Sequence, residues 1–187
     1  LLFVFQIKSL YQLSALEQIM TRSIIKISSQ DHKVAKLAAI AIALSLIEFF
    51  LPSPIPGVKP GIANIIILFT IIKFGFSTAL WVSLIRVFVV SIIVGTFLGP
   101  TFFLSLTGSI FSLLFLFLFK GINGKYFSVI SLSLIAAFSH IIGQFLIVRF
   151  WIIPHDGIFY LLPVFLISAL IFGLVNGIIT STLLNNK

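Results

Sequence analysis

Long apolar runs separated by short polar segments occupy the chain from residue 34 onward. A bilayer core of about 30 Å requires roughly 20 helical residues per crossing. We therefore predict six membrane-spanning helices, at residues 34–51, 61–73, 77–97, 101–119, 128–153 and 159–184. The second run is short for a crossing, since a helix rises about 1.5 Å per residue. It must thin the bilayer, continue past Gly75, or form a re-entrant segment.

The composition supports a membrane protein. Of the 187 residues, 60% are hydrophobic and 9% charged, against roughly 45–50% apolar and about 25% charged in soluble domains. We expect one all-α, polytopic six-helix bundle over residues 34–187, preceded by a cytoplasmic extension, residues 1–33. Because the chain begins at Leu1 and its first methionine is Met20, we interpret residues 1–19 as dispensable, either a start-site artefact of translation from a non-Met codon or an upstream extension. The lack of cysteine excludes disulfides and thiolate metal sites.

A net charge of +8 would suggest nucleic-acid binding in a soluble protein. Here the loops explain it better, because Lys and Arg collect on the cytoplasmic side of membrane proteins. In the six-helix arrangement the cytoplasmic side carries Arg22, Lys26, Lys33, Lys36, Lys73, Lys120, Lys125 and Lys187. The outer loops carry Lys59. We predict a protein of the cytoplasmic (inner) membrane with both termini inside and no nucleic-acid partner.

Ionisable and strongly polar residues within the spans are the candidate functional groups, since a charge at the centre of a membrane helix costs ~2.5–3.5 kcal/mol on insertion scales. Arg86 lies at the middle of the third predicted span. It either binds a ligand in an internal cavity or forms a structural ion pair with Glu48. His140 and Gln144 share one face of the fifth span. They either contact that ligand or link helices by hydrogen bonds.

The depth of these groups in the predicted bundle indicates a cavity that opens to the outside. Arg86 and His140 lie near the midplane, and most of the others lie in the outer half. The candidate substrate-binding residues are Lys59, Asn64, Arg86, His140, Gln144 and Glu48. The first outer loop contains four prolines and two glycines within residues 52–61. Such a loop is stiff, and we interpret it as a rigid cap over the cavity.

Several motifs together carry a resemblance to a known family. They are Pro56-Gly57-x-Lys59-x-Gly61-x-Ala63-Asn64, then Arg86, then His140-x-x-Gly143-Gln144. Over about residues 37–184 the chain resembles the heptaprenyl diphosphate synthase component I family. That family is also called the Gx transporter family and is grouped with the S components of energy-coupling-factor (ECF) transporters. The resemblance implies a six-helix substrate-binding protein whose pocket lies under the first loop.

The same resemblance implies a docking element. S components share an Ala-x-x-x-Ala element on the first helix that docks a transmembrane coupling protein, and Ala35, Ala39 and Ala43 match it. Small residues four apart also permit close packing between any two membrane helices.

Two functions follow from these patterns. The first is a substrate-binding subunit for uptake of a small, anionic, partly apolar solute. Because the chain lacks a Gly-x-x-x-x-Gly-Lys-[Ser/Thr] phosphate loop, partner ATPase subunits would supply the energy. The alternative is a non-catalytic membrane component associated with heptaprenyl diphosphate synthase and isoprenoid quinone precursor metabolism. Prenyl elongation needs Mg²⁺ on clustered carboxylates, whereas Glu17, Asp31, Glu48 and Asp156 are isolated. We therefore predict no catalytic residues, metal site or cofactor.

Overall fold

A computed structural model describes residues 28–52, 59–121 and 127–185, and all regular structure in these ranges is helical. The six α-helices are α1 (Ser29–Phe50), α2 (Ala63–Phe74), α3 (Phe76–Val94), α4 (Pro100–Gly121), α5 (Val129–Ile147) and α6 (Leu162–Asn185). A π-helical turn, Val148–Ile152, and a 3-10 helix, Asp156–Leu161, connect α5 to α6. The prediction of an all-α protein with six helices is confirmed.

Four stretches of the described chain are long and apolar enough to cross a membrane: Phe76–Val94, Pro100–Phe119, Val129–Ile152 and Asp156–Asn185. The protein is therefore a multi-pass membrane protein. Helix α2 is apolar but has 12 residues. Helix α1 is less apolar, since it carries Asp31, Lys33, Lys36 and Glu48. The crossings by α1 and α2 stay predictions.

Gly75 separates α2 from α3. Its φ of 89° lies outside the range that most residues adopt, and the chain turns there before α3 begins at Phe76. The second helix therefore does not continue past Gly75, which was one of its three predicted alternatives. The end of α3 at Val94 is also earlier than predicted. Gly95, with φ 75°, caps that helix by donating its backbone N–H to the Ile92 carbonyl.

The chain divides between His32 and Lys33 into two compact units. In the described part of the first unit, Asp31 accepts a hydrogen bond from the Ser28 backbone N–H at 2.7 Å. The Ser28 hydroxyl accepts one from the Gln30 N–H at 3.1 Å. These contacts satisfy amides that the first turn of a helix leaves without partners.

The second unit has an apolar core made by small and branched residues of α1 to α5. Its members are Ala38, Ala41, Ile67, Leu68, Ile71, Ala79, Val82, Leu113, Leu116, Leu132 and Ala136. Helix α5 packs closely between α4 and α6. A Cβ at Gly143 would lie 2.8 Å from the Phe111 Cβ, and one at Gly177 would lie 2.9 Å from the Ile130 Cα. These glycines permit the close approach of the three helices.

Candidate functional site

One cavity of about 210 Å³ brings together all six polar residues that were predicted from the sequence. They come from α1, the segment before α2, α2, α3 and α5: Glu48, Lys59, Asn64, Arg86, His140 and Gln144. The cavity therefore joins side chains that are far apart in the chain. Such a concave site with a few convergent polar groups is the usual form of a small-molecule site.

Arg86, in the middle of α3, is buried, with 9% of its surface exposed. Its Nη1 donates a hydrogen bond to the Asn64 Oδ1 at 3.2 Å, and its Nη2 donates one to the Ser109 Oγ at 3.0 Å. The alternative ion pair with Glu48 is not formed. The salt bridge found in the described ranges is a different one, between Arg149 and Asp156, with a nitrogen–oxygen distance of 2.6 Å. The guanidinium is therefore held by two neutral side chains.

Glu48 instead anchors the start of α2. Its buried carboxylate accepts a hydrogen bond from the Gly61 backbone N–H. This contact places a negative charge beside the N-terminal end of a helix, where it is favourable. The φ of Gly61 is 68°, a conformation that favours glycine. A Cβ there would also lie 3.2 Å from the Asn64 Nδ2.

Asn176 of α6 also belongs to this site, although the sequence pattern did not predict it as a site residue. Its Nδ2 donates hydrogen bonds to the carbonyls of Pro60 at 3.1 Å and Gly61 at 3.2 Å. The side chain is buried and lines the cavity. The signal in the sequence was an amide within a long apolar helix, between Gly173 and Gly177, a pattern equally typical of close helix packing.

The remaining predicted residues lie at the rim and along α5. Lys59 is exposed, and its Nζ lies 4.6 Å from the centroid of the Phe49 ring, a cation–π contact. His140 packs against α4, where a Cβ at Gly108 would lie 2.6 Å from its Nε2. Its Nδ1 is buried and has no hydrogen-bond partner among the described residues. Gln144 lines the cavity one helical turn later.

Much of the remaining lining is apolar. Valine, isoleucine and phenylalanine side chains contribute, namely Val87, Val90, Val94, Phe102, Ile141, Phe165 and Phe172. Phe102 is buried and packs edge-to-face against Phe97, with ring centroids 5.2 Å apart. A bound molecule would therefore meet both charged or amide groups and hydrocarbon surface.

Comparison with protein-family models shows which family the chain belongs to. A family model for heptaprenyl diphosphate synthase component I matches residues 37–183, which include every polar cavity residue described above. The protein belongs to this family. The resemblance to this family that the sequence predicted is thus confirmed. The similarity to the S components of ECF transporters stays a prediction. Neither the curated proteins nor the solved structures include a match to the chain.

The other predicted features of this component I protein lie elsewhere. Ala35, Ala39 and Ala43 are all exposed on α1, whereas Ala38 and Ala41 are buried. The small residues of the predicted docking element thus lie on a surface of the second unit. Residues 53–58 of the predicted cap lie outside the described residues. Across the described ranges, no three His, Asp or Glu side chains are grouped so that they could hold a metal ion.

Proposed function

We propose that this component I protein is the substrate-binding subunit of a membrane uptake system for a small, anionic, partly apolar solute. The observation that carries the proposal is the position of Arg86. It is a buried cation, it lines a cavity, and no carboxylate oxygen of the described chain is in direct salt-bridge contact with it.

A buried charge is unfavourable unless a counter-charge or several hydrogen bonds compensate for its lost hydration. Arg86 donates hydrogen bonds to two acceptors, the Asn64 amide oxygen and the Ser109 hydroxyl. A guanidinium has five N–H donors. A carboxylate or phosphate of a ligand would supply a negative charge in direct contact and further acceptors, in charge-assisted hydrogen bonds that are strong at low dielectric.

The orientation of the protein follows from the basic residues. Lys33 and Lys36 lie near the start of α1, and Lys73 lies in the last turn of α2. Glu48 and Gly61, at the opposite ends of these two helices, belong to the cavity. With the basic ends in the cytoplasm, the cavity lies toward the outer side of the cytoplasmic membrane, as an uptake system requires.

Energy for uptake would come from partner subunits, because the chain has no phosphate-binding loop. The exposed stripe of Ala35, Ala39 and Ala43 supports docking of a transmembrane coupling protein. Small side chains let two membrane helices approach closely. We propose that this protein contacts ATPase subunits through that coupling protein, as ECF S components do.

The experiment that tests this proposal is identification of the bound molecule. The protein is purified in lipid nanodiscs, and molecules released from it are identified by mass spectrometry. We expect an anion of low mass that is present with the native protein and depleted from Arg86→Met. Recovery of a cationic molecule, or of the same anion from both proteins, would contradict the proposed role of Arg86.

The family description favours a second candidate, a non-catalytic membrane component associated with heptaprenyl diphosphate synthase. Affinity purification from the native membrane separates the two proposals. The first predicts ATPase subunits with the protein, and the second predicts a prenyl synthase with clustered carboxylates for Mg²⁺.

A further inference from the structure

The charged groups of the cavity nearly balance. In the described part of the chain they are Glu48, Lys59 and Arg86, so two positive groups and one negative group leave one net positive charge. Glu48 and Arg86 are both buried. Each is already hydrogen-bonded to protein, Glu48 to the Gly61 N–H and Arg86 to Asn64 and Ser109.

This balance limits the charge of a ligand. One negative charge would neutralise the cavity, while each further negative charge would enter a low-dielectric site without a partner, which is unfavourable. Phosphate groups carry more than one negative charge near neutral pH, and a diphosphate carries more again. Lys59, exposed at the rim beside the Phe49 ring, is already counted in this balance, so no further positive group of the described lining compensates for the excess.

The volume of the cavity limits the part of a ligand that it can enclose. An engineered protein cavity of about 150 Å³ holds one benzene molecule, and this cavity measures about 210 Å³. By the same ratio it encloses about eight or nine non-hydrogen atoms, the size of one ring with a short acid group. A chain of seven prenyl units is far larger. The apolar lining, which includes Phe102, Phe165 and Phe172, suits the hydrocarbon part of such a compact molecule.

We infer that the cavity selects a compact monocarboxylate, with its carboxylate at Arg86 and its hydrocarbon part against the phenylalanines, and that it discriminates against prenyl diphosphates. This inference rests on the proposed function and adds the charge and size of the substrate. It also bears on the alternative function, because the family description names a diphosphate product that this cavity does not fit.

The experiment compares four probes on the native protein in nanodiscs by isothermal titration calorimetry. The probes are phenylacetate, its neutral isostere phenylacetamide, isopentenyl diphosphate and inorganic diphosphate. We expect phenylacetate to bind about tenfold or more tightly than each of the other three, the scale of hydrogen bonds to a charged group. Arg86→Met should bind phenylacetate and phenylacetamide equally, and Arg86→Lys should retain part of the preference.

Two contrary results lead to different conclusions. Tighter binding of isopentenyl diphosphate than of phenylacetate, lost in Arg86→Met, would overturn the monocarboxylate inference and leave an anion-binding subunit in place. If no anion binds the native protein more tightly than phenylacetamide does, both the inference and the proposed anion-binding function are wrong. The comparison of the two isosteres on the native protein decides this even if Arg86→Met fails to fold.

Discussion

Asn176, on the last helix, donates a hydrogen bond to the carbonyl of Gly61, 115 residues earlier in the chain, at a distance of 3.2 Å. The same carbonyl accepts the Asn64 backbone N–H at 2.8 Å. The Asn64 side chain in turn accepts from Arg86. Asn176 is therefore connected to the buried guanidinium through Gly61 and Asn64, and α6 helps to position the cation of the cavity.

We expect Asn176→Asp to release the segment before α2 because a carboxylate cannot donate to the carbonyls of Pro60 and Gly61. Loss of buried hydrogen bonds costs about 1–3 kcal/mol. Since the chain has no cysteine, Ser105→Cys provides a single reporter that lines the cavity. Its reaction with a charged maleimide should be severalfold faster when Asn176→Asp is also present.

The control for this substitution is Asn185→Asp, the same change at an exposed position of α6. It should leave the reaction rate of the Ser105→Cys protein unchanged. Equal rates in all three proteins would show that Asn176 does not hold the segment over the cavity.

Arg86→Met keeps the bulk of the side chain and removes its charge. We expect the variant to insert and fold, and to lose about 1.5–3 kcal/mol of binding free energy for the anion recovered with the native protein. Binding is measured by calorimetry and folding by size-exclusion chromatography and circular dichroism.

The ion-pair interpretation makes the opposite prediction for this position. If Arg86→Met misfolded and the double variant with Glu48→Gln folded normally, Glu48 and Arg86 would be partners. Because Glu48 is bonded to Gly61 in the structure, we expect no such rescue.

Ala39→Leu places a larger side chain on the exposed Ala35, Ala39 and Ala43 face of α1. It should reduce uptake in cells without changing ligand affinity, because it would obstruct a docking helix and lies outside the cavity. Val175→Leu, on the exposed face of α6, is the control and should change neither quantity. Parallel loss of uptake and affinity in Ala39→Leu would indicate that the stripe packs internally.

Gly108→Ala should disturb His140. The new Cβ would lie 2.6 Å from the imidazole Nε2, and overpacking of this kind costs typically about 1–3 kcal/mol. Thermal unfolding in detergent should show a lower midpoint for Gly108→Ala than for the native protein. The double variant with His140→Ala should recover part of the loss, since the smaller side chain makes room. If the double variant is no more stable than Gly108→Ala alone, His140 is not the obstructing group.

Reporter fusions test the predicted topology. With six crossings, fusions after Lys125 and at the C-terminus should report the cytoplasm, and a fusion after Leu98 should report the outside. Opposite locations for the reporters after Lys125 and at the C-terminus would exclude the six-crossing arrangement. A cytoplasmic reporter after Leu98 would indicate that α1 or α2 does not cross.

The apolar runs determined the number and approximate extent of the helices, because each membrane helix satisfies its own backbone and needs a continuous hydrophobic segment. The sequence also picked out the polar cavity residues. A charge such as Arg86 inside an apolar run is costly wherever the helix lies, so its importance is a local property. The short α2 was the uncertain element, and Gly75, which turns the chain, determined where it ended.

The partners of those residues were decided by the tertiary structure alone. Arg86 had two possible roles in the sequence, and the packing of α3 against α2 and α4 gave it Asn64 and Ser109 in place of Glu48. Glu48 and Asn176 meet at Gly61 through contacts between segments far apart in the chain. Periodicity shows which residues share a helix face, but the rotation and depth of each helix against its neighbours depend on side-chain packing throughout the bundle.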